Sequence, residues 1–201
     1  MSGLLLVVSG PSGVGKSTVC RYLVNSLPEV EVSVSMTTRP PREGEKEGIN
    51  YYFVSEGDFK SRIKTGFFLE WAKIYGNFYG TPLDKVEKRL QQGKDVILEI
   101  DVQGALQVRN KYPSAVLVFV APPSFEELTR RIVGRGTEKE KLVEERLEVA
   151  RDELKAYQSY DYMVINDDLE TSAGKIKSIL TAEKCRVYRH HQWWEEKFGG
   201  R

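Results

Sequence analysis

The most informative stretch of this sequence lies near its start, at Gly10-Pro11-Ser12-Gly13-Val14-Gly15-Lys16-Ser17. An apolar run at residues 4–8 precedes it, and a helix-compatible run at residues 17–27 follows. The three glycines lack a Cβ, so the backbone can curl with its N–H groups pointing inward as a nest for anionic oxygens. The start of the next helix adds partial positive charge. A strand, this loop and a helix in succession predict a nucleoside triphosphate site rather than a structural glycine turn.

Two side chains of the loop have a predicted role in chemistry. Lys16 would reach the β- and γ-phosphates, and the Ser17 hydroxyl would ligate Mg²⁺. A second acid for the metal is predicted at Asp101, because residues 96–101 read as an apolar strand that ends in a carboxylate. The alternative for Asp101 is a structural cap.

Composition sets limits on the class of protein. The 201 residues predict one domain with a core large enough to need no disulfides. Cys20 and Cys185 match no metal-ligand spacing and are read as reduced thiols. The net charge of +1 gives no general field that favours nucleic acid or a membrane surface. Because this sequence has no signal-like or membrane-spanning run, we expect a soluble, cytoplasmic protein. Whether it forms a homo-oligomer stays open.

Five apolar segments predict the fold class. Residues 4–8, 32–35, 96–100, 116–120 and 162–165 are short, continuous runs rich in Val, Ile and Leu, and helical patterns alternate with several of them. This predicts an α/β fold, with a parallel sheet core of the P-loop NTPase type flanked by helices. Polar residues come at or just past the ends of these strands, where open α/β sheets bind ligands. They are Gly10, Ser35, Asp101, Pro122 and Asn166.

Two stretches interrupt this alternation. Residues 36–81 carry short aromatic runs separated by glycine and predict a small, inserted β-rich unit that binds a substrate. Residues 124–158 are densely charged with both signs and contain Gly-Arg-Gly at 134–136, which predicts a helical lid, although a solvated helical face would have the same composition. The predicted core is then residues 1–35, 82–123 and 159–201.

The insert contains a candidate phosphate clamp and a candidate base reader. Arg39 and Arg42 flank a stiff Pro-Pro, and two guanidinium groups suit bidentate phosphate recognition. Tyr51 and Tyr79 can add hydroxyl hydrogen bonds. Glu70 lies in an apolar, aromatic strand, where a carboxylate needs a donor. That donor is either an internal arginine or a guanine edge, whose N1–H and N2–H₂ match one carboxylate.

In this order the motifs resemble the guanylate kinase family over residues 4–187. Besides the loop, they include S-M-T-T-R-P-P-R at 35–42, G-I-N-Y-Y-F at 48–53, F-L-E-W at 68–71 and G-N-F-Y-G-T at 76–81. They continue with L-E-I-D-V-Q-G at 98–104, R-G-T-E at 135–138 and I-N-D-D-L at 165–169. The resemblance implies a core, a nucleoside-monophosphate-binding insert (residues 36–81) and a lid (residues 124–158).

The resemblance also implies roles for matching positions. GMP would be bound by Ser35, Arg39, Arg42, Tyr51, Glu70, Tyr79, Thr81, Glu99 and Asp101, with Glu99 standing where the family often has Asp. ATP would be bound by Gly10, Pro11, Ser12, Gly13, Val14, Gly15, Lys16, Ser17, Thr18, Arg131, Asn166 and Asp167. The implied catalytic residues are Lys16, Arg39, Arg42, Arg135 and Arg146.

The implied reaction is phosphoryl transfer from Mg·ATP to GMP, and to dGMP, giving ADP and GDP. Two other classes stay open at this point. One is a non-catalytic protein-binding module, which the intact Lys16 and Ser17 disfavour. The other is a kinase of a phosphorylated sugar, which Glu70 and its polar neighbours disfavour.

Overall fold

The chain alternates short strands with helices. In the computed structural model, which describes residues 2–134 and 140–199, the strands are β1 (Leu5–Ser9), β2 (Val30–Val32), β3 (Met36–Thr37), β4 (Tyr52–Phe53), β5 (Phe68–Ile74), β6 (Asn77–Pro82), β7 (Asp95–Glu99), β8 (Val116–Ala121) and β9 (Tyr162–Ile165). The helices are α1 (Lys16–Ser26), α2 (Glu56–Lys64), α3 (Leu83–Gln91), α4 (Val102–Lys111), α5 (Phe125–Val133), α6 (Glu140–Lys155), α7 (Leu169–Lys184) and α8 (His191–Phe198).

The central sheet confirms the predicted α/β fold. Five strands pair in parallel in the order β2-β7-β1-β8-β9, so the strand that leads into the glycine-rich loop lies in the middle. Side chains along β1 alternate between two faces. Leu6 and Val8 join the apolar core on one face, and Leu5 and Val7 join the core on the other. Because helices cover both faces, the strand is continuously apolar.

The edge strand β2 differs from its prediction. The sequence placed a strand at residues 32–35, whereas β2 spans Val30–Val32. After the Ser33 N–H donates to the Ile97 carbonyl (2.9 Å), the chain leaves the central sheet. The Ser35 carbonyl already accepts from the Tyr52 N–H (2.9 Å) in the second sheet. The apolar pattern did not reveal this change of sheet, because both sheets use similar residues.

The insert forms a small sheet of its own, as its composition predicted. Four strands pair in the order β4-β3-β6-β5, and β5 and β6 form an antiparallel hairpin. The sequence did not predict α2, which covers this sheet. Phe59 of α2 is fully buried and stacks on Phe68 (ring centroids 4.3 Å apart) and Phe78 (5.4 Å). This aromatic core fixes the sheet that carries several of the candidate GMP residues.

Two helices occupy the predicted lid region. They are α5 and α6, and α6 packs on the core through the fully buried Ala150. Arg135, a predicted catalytic residue, lies outside the described residues. Within the ranges that the structure describes, no helix is long and apolar enough to cross a bilayer.

Candidate active site

The glycine-rich loop joins β1 to α1 at the carboxyl edge of the central sheet. Gly15 is the N-cap of α1 in the left-handed region (φ 99°), and Gly10 has φ 142°. A Cβ on Gly10 would lie 2.2 Å from the Val120 carbonyl oxygen of β8. The loop can therefore approach the neighbouring strand only because residue 10 has no side chain.

The Lys16 ammonium group lies over the loop. Its Nζ donates to the carbonyl oxygens of Gly10 (2.6 Å) and Pro11 (3.1 Å). Burial lowers the pKa of Lys16, and nearby carboxylates, first that of Glu153, oppose this lowering. A half-buried cation at the mouth of the loop is suited to an anionic ligand, as the sequence predicted.

Two residues that were predicted to bind ATP donate hydrogen bonds to the backbone of the glycine-rich loop. Asn166, at the end of β9, donates from Nδ2 to the Val14 carbonyl (2.7 Å). Arg131 of α5 donates to the same carbonyl (3.2 Å) and to the Asn166 carbonyl (3.1 Å), and it pairs with Glu127 (2.7 Å). Asp167 is exposed and accepts from the neighbouring backbone N–H. In this structure Asn166 and Arg131 therefore fix the loop's shape.

The acid beside Ser17 is Glu99 rather than Asp101. The Ser17 hydroxyl donates to the Glu99 carboxylate at the end of β7. Asp101 instead caps α4, accepting from the Gly104 N–H (2.8 Å), and burial raises the pKa of Asp101. Asp101 also lines the larger cavity described below, so this carboxylate is both a helix cap and a candidate site residue.

Glu70 is a buried carboxylate on β5 with hydroxyl groups beside it. The Thr81 hydroxyl donates to its Oε1 (2.6 Å), and the Ser35 hydroxyl lies 3.4 Å from that of Thr81. Burial raises the pKa of Glu70 to about 7. Its described hydrogen-bond partner is a hydroxyl rather than the internal arginine considered from the sequence. Oε2 lies beside Gly104, where a Cβ would come within 2.5 Å of it.

The predicted phosphate clamp is assembled around Tyr51. The Arg39 guanidinium lies 5.5 Å from the centroid of the Tyr51 ring, and the Tyr51 and Tyr79 rings meet edge to face at 6.0 Å. Glu45 holds the segment of Arg39 and Arg42 in place, because it pairs with the Arg39 side chain (2.8 Å) and accepts from the Arg42 backbone N–H (2.7 Å). Sequence reasoning missed Glu45, because Glu43 and Glu47 flank it and nothing in the sequence distinguishes one of these acids from the others.

Two adjoining cavities collect most of the predicted residues. The larger, about 280 Å³, is lined by Ser12, Lys16, Ser35, Arg42, Tyr51, Glu70, Ala72, Ile74, Tyr75, Tyr79, Glu99, Ile100, Asp101, Arg146, Val149 and Glu153. The smaller, about 170 Å³, is lined by Ser12, Gly13, Gly15, Lys16, Ser17, Thr18 and Glu99. Ser12, Lys16 and Glu99 belong to both, so the two cavities meet at the mouth of the glycine-rich loop.

Helix α6 contributes one predicted residue, Arg146, and two unpredicted residues, Val149 and Glu153, to the larger cavity. The Arg146 guanidinium lies 5.2 Å from the centroid of the Tyr75 ring on the opposite wall. Glu153 accepts from the Ser12 N–H of the loop (3.2 Å). In a segment with many acids, nothing in the sequence distinguished Glu153 from its neighbours.

Comparisons with known proteins agree with this site. The family model described as guanylate kinase matches residues 2–183. A guanylate kinase of Desulfitobacterium hafniense (strain Y51) is 53% identical over 187 residues, covering 93% of this chain and 94% of the relative. One of Clostridioides difficile (strain 630) is 50% identical over 196 residues, covering 98% and 96%.

A solved structure shows the same fold. The crystal structure of guanylate kinase from Anaplasma phagocytophilum superposes with a TM-score of 0.81 at 36% identity, covering 100% of this chain and 97% of the other. The resemblance inferred from the motifs is confirmed over nearly the full length. The protein is an enzyme of this type, and the chain belongs to the guanylate kinase family.

Proposed function

We propose that the protein transfers the γ-phosphoryl group of ATP to GMP. The observation that carries this proposal is the pair of cavities that meet at Ser12, Lys16 and Glu99. The smaller cavity lies against the phosphate-binding loop, and the larger is lined by the candidate monophosphate residues other than Arg39 and Thr81. A donor triphosphate and an acceptor monophosphate would therefore face each other at the loop, as in-line transfer requires.

Guanine is the base that best fits the larger cavity. Glu70 lines this cavity with its carboxylate, and the Ser35 and Thr81 hydroxyls lie beside it. Guanine N1–H and N2–H₂ would donate to the carboxylate, and a hydroxyl would donate to O6. Adenine has no such pair of donors, so it would leave the buried carboxylate with fewer hydrogen bonds than guanine provides, which is costly. Recognition through the base and the phosphate extends the proposal to dGMP.

The acceptor phosphate would bind at the predicted phosphate clamp around Tyr51. Arg39 is already oriented by Glu45, and Arg42 lines the larger cavity. Lys16 would exchange its bonds to the Gly10 and Pro11 carbonyls for bonds to the triphosphate. Arg146 lies where it can neutralise charge on the transferring group. A GMP phosphate oxygen is already anionic, so transfer needs positioning and charge neutralisation more than a general base.

Mg²⁺ fits the oxygen donors at the loop. Ser17 and Glu99 meet there, and within the described residues no cluster of three or more His, Cys, Asp or Glu side chains forms a dedicated cage. Mg²⁺ is usually held by few protein groups together with water and nucleotide phosphates. When bound, it would neutralise charge on the β- and γ-phosphates. We assign Ser17 as its ligand and Glu99 as the acid nearest to it.

The proposed role in the cell is the recycling of GMP to GDP in purine nucleotide metabolism. A cytoplasmic location and a homo-oligomer stay predictions from the sequence. The two rival functions are weaker, because a binding module needs no Lys16 at a phosphate loop, and a sugar-phosphate kinase needs no buried Glu70 in its acceptor pocket.

A coupled assay of ADP formation tests the proposal. Mg·ATP is supplied with GMP, dGMP, AMP, CMP, UMP or no acceptor, and Lys16→Met provides the matched negative control. We expect fast turnover with GMP and dGMP, little with the others, and a loss of at least about a hundred-fold in kcat for the variant. Equal turnover with AMP would contradict the role of Glu70 in guanine recognition. A lack of ADP formation with every acceptor would contradict the proposed reaction.

A further inference from the structure

Glu153 is a carboxylate that lies at the phosphate-binding loop, and the proposed reaction gives it no role. It is partly buried on α6, accepts from the Ser12 N–H (3.2 Å) and lines the larger cavity. Among the charged groups near Lys16, Glu153 does most to raise the pKa of Lys16. A negative side chain at this point is unexpected, because the loop is built to bind anions.

The placement of Glu153 follows from the geometry of α6. Arg146 and Glu153 are seven residues apart, about two helical turns, so they lie on the same face of the helix. Between them the fully buried Ala150 packs α6 onto the core. The helix therefore presents one positive and one negative group to the same cavity, the negative one over the loop.

We propose that Glu153 is a positioning residue that competes with a nucleotide phosphate for the Ser12 N–H and thereby sets the affinity for ATP. The inference rests on the proposed function, in which the triphosphate binds at this loop. The Ser12 N–H carries one hydrogen, so a carboxylate oxygen and a phosphoryl oxygen use it in turn. Glu153 is also an anion at the edge of the phosphate site, so the two repel each other.

The consequence is that removal of the charge strengthens ATP binding. In Glu153→Gln the amide oxygen still accepts from the Ser12 N–H, but without charge, and a charge-assisted hydrogen bond is the stronger competitor. In Glu153→Ala the acceptor is lost altogether. A merely structural role predicts the reverse, because loosening the contact between α6 and the loop would weaken the binding of every ligand.

Calorimetric titration of Mg·ATP and, separately, of GMP into the full-length protein tests this inference. We expect Glu153→Gln to bind ATP roughly five-fold more tightly than the wild type. Glu153→Ala should bind at least as tightly as Glu153→Gln, with a smaller change for GMP in both variants. Asp152→Asn is the matched control, because it removes the same charge from the exposed preceding residue, and it should bind ATP like the wild type.

Three outcomes would overturn the inference. They are an unchanged or weaker ATP affinity in folded Glu153→Gln, an equal gain for GMP and ATP, and the same gain in Asp152→Asn. The last two would assign the effect to general charge rather than to the Ser12 N–H. Binding of ATP to the wild type, together with its turnover of GMP, tests the proposed function separately.

Discussion

The carboxylate of Glu70 lies directly against the backbone of Gly104, close enough that a Cβ on residue 104 would come within 2.5 Å of Oε2. Gly104 is the third residue of α4, and its N–H donates to Asp101. A glycine inside a helix usually costs stability relative to alanine. Here the missing side chain leaves room for the group that would recognise the base.

Gly104→Ala should therefore weaken GMP binding. The added methyl group displaces the Glu70 carboxylate, so we expect the KM for GMP to rise roughly ten-fold while the KM for ATP changes little. Gly174→Ala in α7 is the matched control, because a Cβ there meets no atom within 4 Å. It should leave both KM values unchanged and stabilise the fold by about 0.5–1 kcal/mol. An unchanged KM for GMP in Gly104→Ala would exclude this role for the missing side chain.

The pKa of Glu70, about 7, predicts a pH dependence of GMP binding. Guanine donors need the ionised carboxylate, so the KM for GMP should rise as the pH falls below about 7. The GMP phosphate also titrates near pH 6. Glu70→Gln separates the two effects, because only the phosphate dependence should remain in it. A wild-type KM profile parallel to that of Glu70→Gln would contradict the prediction.

The same pKa predicts how stability varies with pH. Burial raises the pKa of Glu70 from 4.5 to about 7, so its protonated form is favoured in the folded state. Its contribution to stability is full below about pH 4.5 and is lost as the pH rises through about 7. The free energy of unfolding of Glu70→Gln relative to wild type should therefore increase between these pH values in denaturant titrations. A constant difference would mean that Glu70 ionises normally.

Glu99 and Asp101 should differ in their effect on the Mg²⁺ requirement. Glu99 accepts from Ser17, whereas Asp101 caps α4. We expect Glu99→Gln to raise the Mg²⁺ concentration for half-maximal turnover several-fold, because a neutral amide is a poorer partner for a hard cation. Asp101→Asn keeps a good helix cap and should change this value less. The reverse order would return the metal role to Asp101, as first predicted from the sequence.

Substitutions of Asn166 and of Asp167 should have different effects on stability and on ATP binding. Asn166 is buried and holds the Val14 carbonyl, so Asn166→Ala should lower the melting temperature as well as the affinity for ATP. Asp167 is exposed, so Asp167→Ala should leave the melting temperature unchanged and alter only ATP binding. Thermal melts with and without Mg·ATP measure both effects. Equal loss of stability in the two variants would contradict the distinct roles assigned to them.

The sequence predicted those parts of the site whose signal is local. The order of residues 10–17 determines the curled loop, and continuous apolar runs determine the parallel strands, so both were visible without a structure. Other features depend on contacts between distant segments. The crossing from β2 to the second sheet and the burial of Phe59 between α2 and that sheet result from tertiary packing, which local patterns do not record.

The same distinction separates the candidate residues. Glu70 was recognisable because a carboxylate among aromatic residues is unusual. Glu153 was not, because its neighbours in a charged helix look alike until the fold places it against Ser12. Gly104 belongs to the motif at residues 98–104, but its importance comes from its close contact with Glu70, which lies on another element.

The central position of β1 has a consequence for folding. β1 pairs with β7 and β8, which come much later in the chain, and its side chains belong to both apolar cores. Loop closure over such distances is slow, so the glycine-rich loop reaches its final shape only when these late segments have docked. A nascent or partly unfolded chain would therefore carry the intact motif without the competence to capture a phosphate.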